Sequence, residues 1–305
     1  MSKKILISTG GSGGHVIPAT IIYKHLEHSF DVSMTTDLRG IKFLNKEEYN
    51  LKIFNVRPIS KNLLTIPFDF LLILVLIFKS IIFLRKNKIN VLISTGGYMS
   101  LPLCLSAKIL NIKLLLFEPN MVLGRSNKFF ISYCQKIFCY SNNIKKLPIK
   151  FKNKIKVIPA LLRKNFYDKK ENNNSLDIIN LLIIGGSQGA KIFDDLVKNI
   201  IIRLSKKYKL KIYQQTSSIN FESFKEIYEN DNINCELFDF DDDVINFMQK
   251  SDLCITRAGA STLAELNFMG VPYLAIPLPT AKDNHQFENA YFYNKLGFNW
   301  LLNQK

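Results

Sequence analysis

Cysteine is scarce in this chain of 305 residues, with only Cys104, Cys134, Cys139, Cys235 and Cys254. Their number is odd and no two stand in a C-x-x-C spacing. That excludes a disulfide framework and a thiol-ligated zinc site, and it predicts buried free thiols in a reducing cytoplasm. Acidic residues are also few, 25 against 41 lysines and arginines, for a formal charge of +16. Such a surplus favours anionic partners such as a phospholipid surface or a phosphorylated substrate. The basic residues are scattered and lack the aromatic interleaving of an RNA-binding module, which sets nucleic acid aside. No basic and apolar leader of signal-peptide length stands at the amino end, so the chain is expected to stay in the cytoplasm. A long uninterrupted apolar run is missing too. Residues 63–84 come nearest, but Pro67, Asp69 and Lys79 break them. A membrane crossing wants about 20 apolar residues. The stretch reads instead as a helix buried on one side with an unusually apolar other side, followed by Arg85, Lys86 and Lys88. That pairing suits a surface dipping into an anionic bilayer, and a purely buried helix is the alternative.

What the chain does contain is an alternation of β-branched apolar runs with helical patterns, the mark of βα units on a parallel sheet. Strands are predicted at 5–8, 32–35, 91–94, 114–117 and 137–140, with a last strand of that half meeting Pro159. A second series follows at 179–184, 210–214, 253–256 and 273–276. Two domains are expected from the length, over 1–160 and 161–305. The fold class is α/β: two Rossmann-like, doubly wound domains facing one another. Ligands of such sheets gather at the carboxyl ends of the strands.

The first strand runs into Thr9-Gly10-Gly11-Ser12-Gly13-Gly14-His15-Val16-Ile17-Pro18. Four glycines let the backbone approach a ligand, and a helix starting near His15 would aim its free amides at a phosphate. A dinucleotide loop G-x-G-x-x-G needs glycine where Val16 stands, although Asp37 lies at the distance of a ribose-binding acid. A plain turn with a capping histidine is the third possibility. In the second half, Gly185-Gly186-Ser187-Gln188-Gly189-Ala190 repeats the strand-to-helix anion loop. Ser261 or Thr262 is placed to cap the next helix, with Glu265 as a capping-box partner or as a ligand-facing carboxylate. Asp283, Asn284, His285 and Gln286 form a polar loop whose amides suit sugar hydroxyls. Asp239 and Asp241 have the D-x-D spacing of metal-dependent transferases, but acids before a helix are more often caps, and no metal is expected.

Taken in order, these motifs, with Gly96-Gly97-Tyr98, Glu118-Pro119-Asn120, Ser126-Asn127-Lys128 and Gly270-Val271-Pro272, resemble the N-acetylglucosaminyltransferases of peptidoglycan synthesis. That family has the two-domain, B-type glycosyltransferase fold. Proline at 119 and histidine at 285 stand where relatives often carry glutamine, and the Asn-Pro usual before Arg163 is absent. The resemblance implies inverting transfer of N-acetylglucosamine from its UDP donor to the 4-hydroxyl of an undecaprenyl-diphosphate-linked MurNAc-pentapeptide, without a cofactor. It implies peripheral attachment to the anionic surface of the bacterial inner membrane, on the cytoplasmic face. It also leads one to expect further elements beyond Lys305, so that the C-terminal end reads as shortened. By the same resemblance His15 is the general base. Ser12, Gly13, Gly14 and Asn120 reach donor or acceptor from the first domain. In the second, Ser187 meets the diphosphate, Arg163 and the backbone at Asp241 the uridine, and Glu265 the ribose. Ala260, Ser261, Thr262, Leu263, Ala264 and Gln286 line the rest. The competing readings are a transferase of the same fold with another lipid acceptor and a non-catalytic membrane-docking relative.

Overall fold

A computed structural model of the chain describes residues 3–54, 56, 66–168, 177–186, 191–239 and 244–304. The chain forms two compact units, Met1–Leu161 and Leu162–Lys305. The first contains β1 (Lys4–Ser8), α1 (Gly13–Leu26), β2 (Asp31–Thr36), β3 (Leu51–Ile53), α2 (Ile66–Lys86), β4 (Val91–Ser94), α3 (Ser100–Ile109), β5 (Lys113–Glu118), α4 (Arg125–Phe130), β6 (Lys136–Cys139) and β7 (Ile155–Val157). The second contains β8 (Ile179–Ile184), α5 (Lys191–Ser205), β9 (Leu210–Gln215), α6 (Phe221–Asn230), β10 (Asn234–Phe238), α7 (Ile245–Lys250), β11 (Leu253–Thr256), α8 (Ala260–Met269), β12 (Tyr273–Ala275), α9 (His285–Lys295) and β13 (Asn299–Leu301).

Each unit is built on one sheet with every pair parallel, ordered β3-β2-β1-β4-β5-β6-β7 and β10-β9-β8-β11-β12-β13. Parallel strands covered by helices on both faces bury successive residues rather than alternate ones. Ile5, Leu6 and Ile7 do so in β1, and Leu181, Leu182 and Ile183 in β8. The first core packs Ile5 and Ile7 against Ala19, Ile22 and Tyr23 of α1, and the second packs Leu181 and Ile183 against Val197 and Ile201 of α5. In both sheets the strand order reverses between the first strand and its neighbour, β1 beside β4 and β8 beside β11. That switch point places the glycine loops after β1 and β4 side by side, and likewise the loops after β8 and β11.

The nine strands expected by residue range each fall on an observed strand, and β7 is the strand that meets Pro159. Three strands were not expected, β3, β10 and β13. All three are edge strands, short and partly exposed, so they lack the apolar run that identifies a central strand. Of the cysteines, Cys104, Cys134, Cys139 and Cys254 are buried free thiols, whereas Cys235 is only half-buried. Burial pushes the Cys104 and Cys139 thiols up to about 12.

Helix α2 has the two-sided character expected of residues 63–84, of which 63–65 lie outside the described residues. Ile73, Leu76, Ser80 and Leu84 recur every three or four residues and face inward. Phe68 (70% exposed), Phe70 (62%) and Phe78 (65%) face outward with Leu71, Leu74, Val75 and Ile82. Lys79, Arg85, Lys86 and Lys88 are exposed on the same helix and just beyond it. No helix among the described residues is long and apolar enough to cross a membrane.

Candidate functional site

The loop after β1 is closed by Asp37. Its buried carboxylate accepts the amides of Gly11 and Gly40, each at 2.9 Å, and holds the Arg39 guanidinium through Nε at 2.8 Å and Nη2 at 2.6 Å. Burial works against the charge, but these hydrogen bonds and the arginine outweigh it and hold the carboxyl below its ordinary value. With both oxygens engaged by the chain itself, Asp37 is a brace of the loop and not the ribose-binding acid of a dinucleotide site.

Helix α1 begins at Gly13 with Ser12 as its N-cap residue, two residues before the expected start at His15. The Ser12 carbonyl takes the amides of His15 and Val16, at 3.0 and 3.1 Å. Gly13 and Gly14 therefore sit at the open first turn, with Gly14 exposed. Pro18, inside α1, has no N–H to return to the Gly14 carbonyl four residues back.

The His15 ring does not cap the helix, as the simplest reading would have it. It crosses to the loop after β4, where Nδ1 lies 2.9 Å from the Thr95 carbonyl oxygen. A carbonyl only accepts, so Nδ1 carries the proton in the neutral ring and Nε2 holds the lone pair. The glycines that follow make room for the ring. A Cβ on Gly96 would stand 3.2 Å from Cε1 and 3.3 Å from Nδ1, and one on Gly97 would stand 2.8 Å from the Gly10 carbonyl oxygen. Both have positive φ, +91° and +85°.

Beside them the end of β5 carries a carboxylate whose role the motif alone does not reveal. Glu118, 3% exposed, accepts from the Asn120 side chain at 2.9 Å, the Gly124 amide at 2.7 Å and the Asn127 side chain at 3.0 Å.

In the second unit, the Gly185 amide donates to Gln215 Oε1 at 3.0 Å, and Gly186 has φ +75°. Ser187 and Asp241, expected at the site, lie outside the described residues. Asp239 accepts the Ser218 amide at 3.2 Å, and no group of three His, Cys, Asp or Glu that could hold a metal occurs among the described residues.

The N-cap of α8 is Gly259 and makes no side-chain bond, so Ser261 and Thr262 do not cap it. Gly259 leaves β11 in an extended conformation and the helix turns in directly after it, two residues ahead of a cap at Ser261, leaving Ala260, Ser261 and Thr262 half-buried in the first turn. Leu263 and Ala264 turn into the core. Glu265 is too far along for a capping box. It is buried at 3% exposure and receives Arg163 Nε at 3.1 Å and Nη2 at 3.0 Å, both on Oε1. Burial raises the Glu265 pKa above its ordinary value, and Arg163 draws it partly back. Residues assigned by resemblance to uridine and to ribose are thus joined to each other. Gln286 Oε1 bridges the amides of Leu278 at 2.9 Å and Ala258 at 3.3 Å, which directs its Nε2 the other way.

Residues 5–139 match the glycosyltransferase family 28 N-terminal domain and residues 180–305 its C-terminal domain. The chain belongs to glycosyltransferase family 28. It is 85% identical over 305 residues, all of this chain and 86% of the relative, to the UDP-N-acetylglucosamine–N-acetylmuramyl-(pentapeptide) pyrophosphoryl-undecaprenol N-acetylglucosamine transferase of Pelagibacter ubique. The protein of the same name in Rickettsia bellii is 37% identical over 314 residues, covering 99% of this chain and 86% of that one. Among solved structures, the MurG of Acinetobacter baumannii superposes with a TM-score of 0.77 at 24% identity, over 99% of this chain and 86% of that one, which shows the shared fold.

Within the family 28 frame, His15, Gly96 and Glu118 fall in the N-terminal match, and Glu265 and Gln286 in the C-terminal one. Arg163 lies between the two. Glu118 and Gln215 could not be assigned from spacing, because a carboxylate or amide on a strand end gives no sign of which backbone amides will face it.

Proposed function

We infer that this chain transfers N-acetylglucosamine from UDP-N-acetylglucosamine to the lipid-linked MurNAc-pentapeptide in peptidoglycan synthesis. The observation that carries this is 85% identity, along the whole chain, to a transferase of that name. The reading is chemically supported at the residues. A sugar hydroxyl is a weak nucleophile, and a positioned base contributes about 10²–10⁴-fold. His15 Nε2, set by the Thr95 carbonyl, takes the proton of the 4-hydroxyl as its oxygen bonds to the anomeric carbon. The bond from that carbon to the UDP oxygen breaks on the opposite face, so the configuration inverts.

In this proposal the first unit serves the acceptor and the membrane, with Ser12, Gly13, Gly14 and Asn120 at the reacting sugars. The second holds UDP-N-acetylglucosamine. Ser187 and neighbouring amides meet the departing diphosphate, in the manner of an anion site at a helix start. Glu265 accepts ribose hydroxyls through the oxygen that Arg163 leaves, and Arg163 and the backbone at Asp241 face the uridine. Ala260, Ser261 and Thr262 and the Nε2 end of Gln286 complete the sugar side, while Leu263 and Ala264 offer backbone only.

The lipid acceptor demands a membrane surface, and the outward phenylalanines and leucines of α2, followed by Arg85, Lys86 and Lys88, support docking on an anionic leaflet. We place the enzyme there, peripherally, on the cytoplasmic side. Purified protein supplied with UDP-N-acetylglucosamine and the lipid-linked acceptor in anionic vesicles is expected to release UDP. Absence of release with acceptor present, across lipid compositions, overturns the reading.

A further inference from the structure

The four groups hydrogen-bonded to Glu118 are all donors. Oε1 faces the backbone N–H of Asn120 at 3.3 Å and its Nδ2 at 2.9 Å, and Oε2 faces the Gly124 amide at 2.7 Å and Asn127 Nδ2 at 3.0 Å. The four come from three successive positions, the turn after β5, the residue before α4 and α4 itself. Asn127 is buried, and its other N–H donates to the Phe117 carbonyl at 3.1 Å, so both hydrogens of the amide are committed and its orientation is fixed by chemistry. Its Oδ1 is consequently buried without a hydrogen-bond partner among the described residues. Such an orphaned acceptor is held against a penalty, and the amide could turn over if Glu118 stopped accepting. Asn127 Nδ2 also lies under the His15 bed, 3.7 Å from where a Cβ of Gly96 would stand.

We propose that Glu118 is a positioning residue for the transfer: its buried carboxylate sets the Asn120 amide toward the reacting sugars and fixes Asn127 beneath the Gly96 support of His15. This deepens the transferase reading, since it takes Asn120 and His15 as members of that site. A carboxylate is required rather than any acceptor. Glutamine would turn one –NH₂ toward two donors and leave them unpaired, whereas aspartate keeps the charge and loses only reach.

The test compares Glu118→Gln, Glu118→Asp, Asn120→Ala and the double variant Glu118→Gln/Asn120→Ala in UDP release with the lipid acceptor. Calorimetric UDP binding and hydrogen exchange at the Gly124 amide are followed alongside. Glu118→Gln is expected to lower kcat by about tenfold or more, since misplacement of a positioned group by 1 Å costs up to about a hundredfold. UDP affinity should stay at the wild-type value, Gly124 exchange should accelerate, and Glu118→Asp should recover part of the rate. If Glu118 acts through Asn120, the double variant is no slower than the slower single variant, because coupled losses do not multiply. Wild-type kcat in Glu118→Gln alongside an impaired Asn120→Ala overturns the proposal, as do losses that multiply in the double variant. A wild-type chain that releases no UDP strikes the transferase reading instead. In that case Gly124 exchange reports only the Glu118 hydrogen bond, and an unchanged exchange rate in Glu118→Gln overturns the positioning claim independently of turnover.

Discussion

His15 Nδ1 meets the Thr95 carbonyl oxygen at 2.9 Å, across 80 residues of sequence, and that contact puts the proton of the neutral ring on Nδ1 and the lone pair on Nε2. The helix supplies the ring, the loop after β4 supplies the acceptor, and the parallel pairing of β1 with β4 brings the two together.

His15→Ala is expected to cut turnover by about 10²–10⁴-fold, the range of a lost general base. UDP binding, a property of the second unit in this reading, should be unchanged by calorimetry. Turnover equal to wild type would remove His15 from the chemistry.

Gly96→Ala tests the bed under the ring. The added methyl crowds Cε1 and Nδ1, and φ +91° is strained for alanine at a cost of about 1–3 kcal/mol. Folded protein, sorted by circular dichroism, should show kcat lowered by about ten- to a hundredfold through displacement of the imidazole. Nitrogen-15 spectra of labelled histidine should show the Nδ1–H tautomer weakened. An unaltered tautomer together with full activity contradicts the assignment.

Asp37→Asn should destabilise the first unit near neutral pH by about 1–3 kcal/mol, because an –NH₂ replaces an acceptor facing N–H donors. The folded pKa of Asp37 is lowered, so its stabilisation is complete above the unfolded value near 3.8 and is lost as pH falls through the lower folded value. The difference in melting temperature between wild type and variant is therefore expected to shrink in strong acid. A difference that widens there has the wrong sign.

Glu265 behaves oppositely. Its folded pKa is raised, so its contribution is fully present below the ordinary value of 4.5 and is lost as pH rises through the higher folded value. Measured as melting temperature of wild type minus Glu265→Gln, the difference should grow as pH is lowered toward 4.5 and then level off. Arg163→Ala leaves this buried carboxylate without its cation, which costs about 3–5 kcal/mol when a buried pair is broken, and it should weaken UDP binding as well. A variant as stable as wild type would show the pair to be idle.

Replacing Phe68, Phe70, Leu71 and Phe78 together by serine should abolish sedimentation with anionic vesicles and leave melting temperature nearly unchanged, since these side chains are exposed. Co-sedimentation at the wild-type level would place the membrane contact elsewhere.

The central strands were legible because doubly covered strands must be apolar at consecutive positions, as in Ile5-Leu6-Ile7 and Leu181-Leu182-Ile183. The two-sided helix was legible from the charges interrupting its apolar run. Edge strands such as Asn234–Phe238 were not, because one side of the ladder and much of the side-chain surface stay in water. Around the site, residue types and spacing marked out His15, Glu265 and the glycine loops. They could not tell that Asp37 turns inward to brace its own loop, or that Arg163 and Glu265, 102 residues apart, close on each other. The directions of carboxylates belong to tertiary packing. Gly259 took the N-cap from Ser261 for a similar reason, since the extended backbone leaving β11 set where the helix could begin.

The outward face of α2 also governs how the free molecule behaves. Apolar side chains exposed to water attract whatever apolar matter is at hand, including the same face on another copy. Away from lipid the protein is expected to self-associate as its concentration rises, and vesicles or detergent micelles should disperse it. The state of assembly seen in solution would then report the supply of amphiphile rather than a fixed stoichiometry.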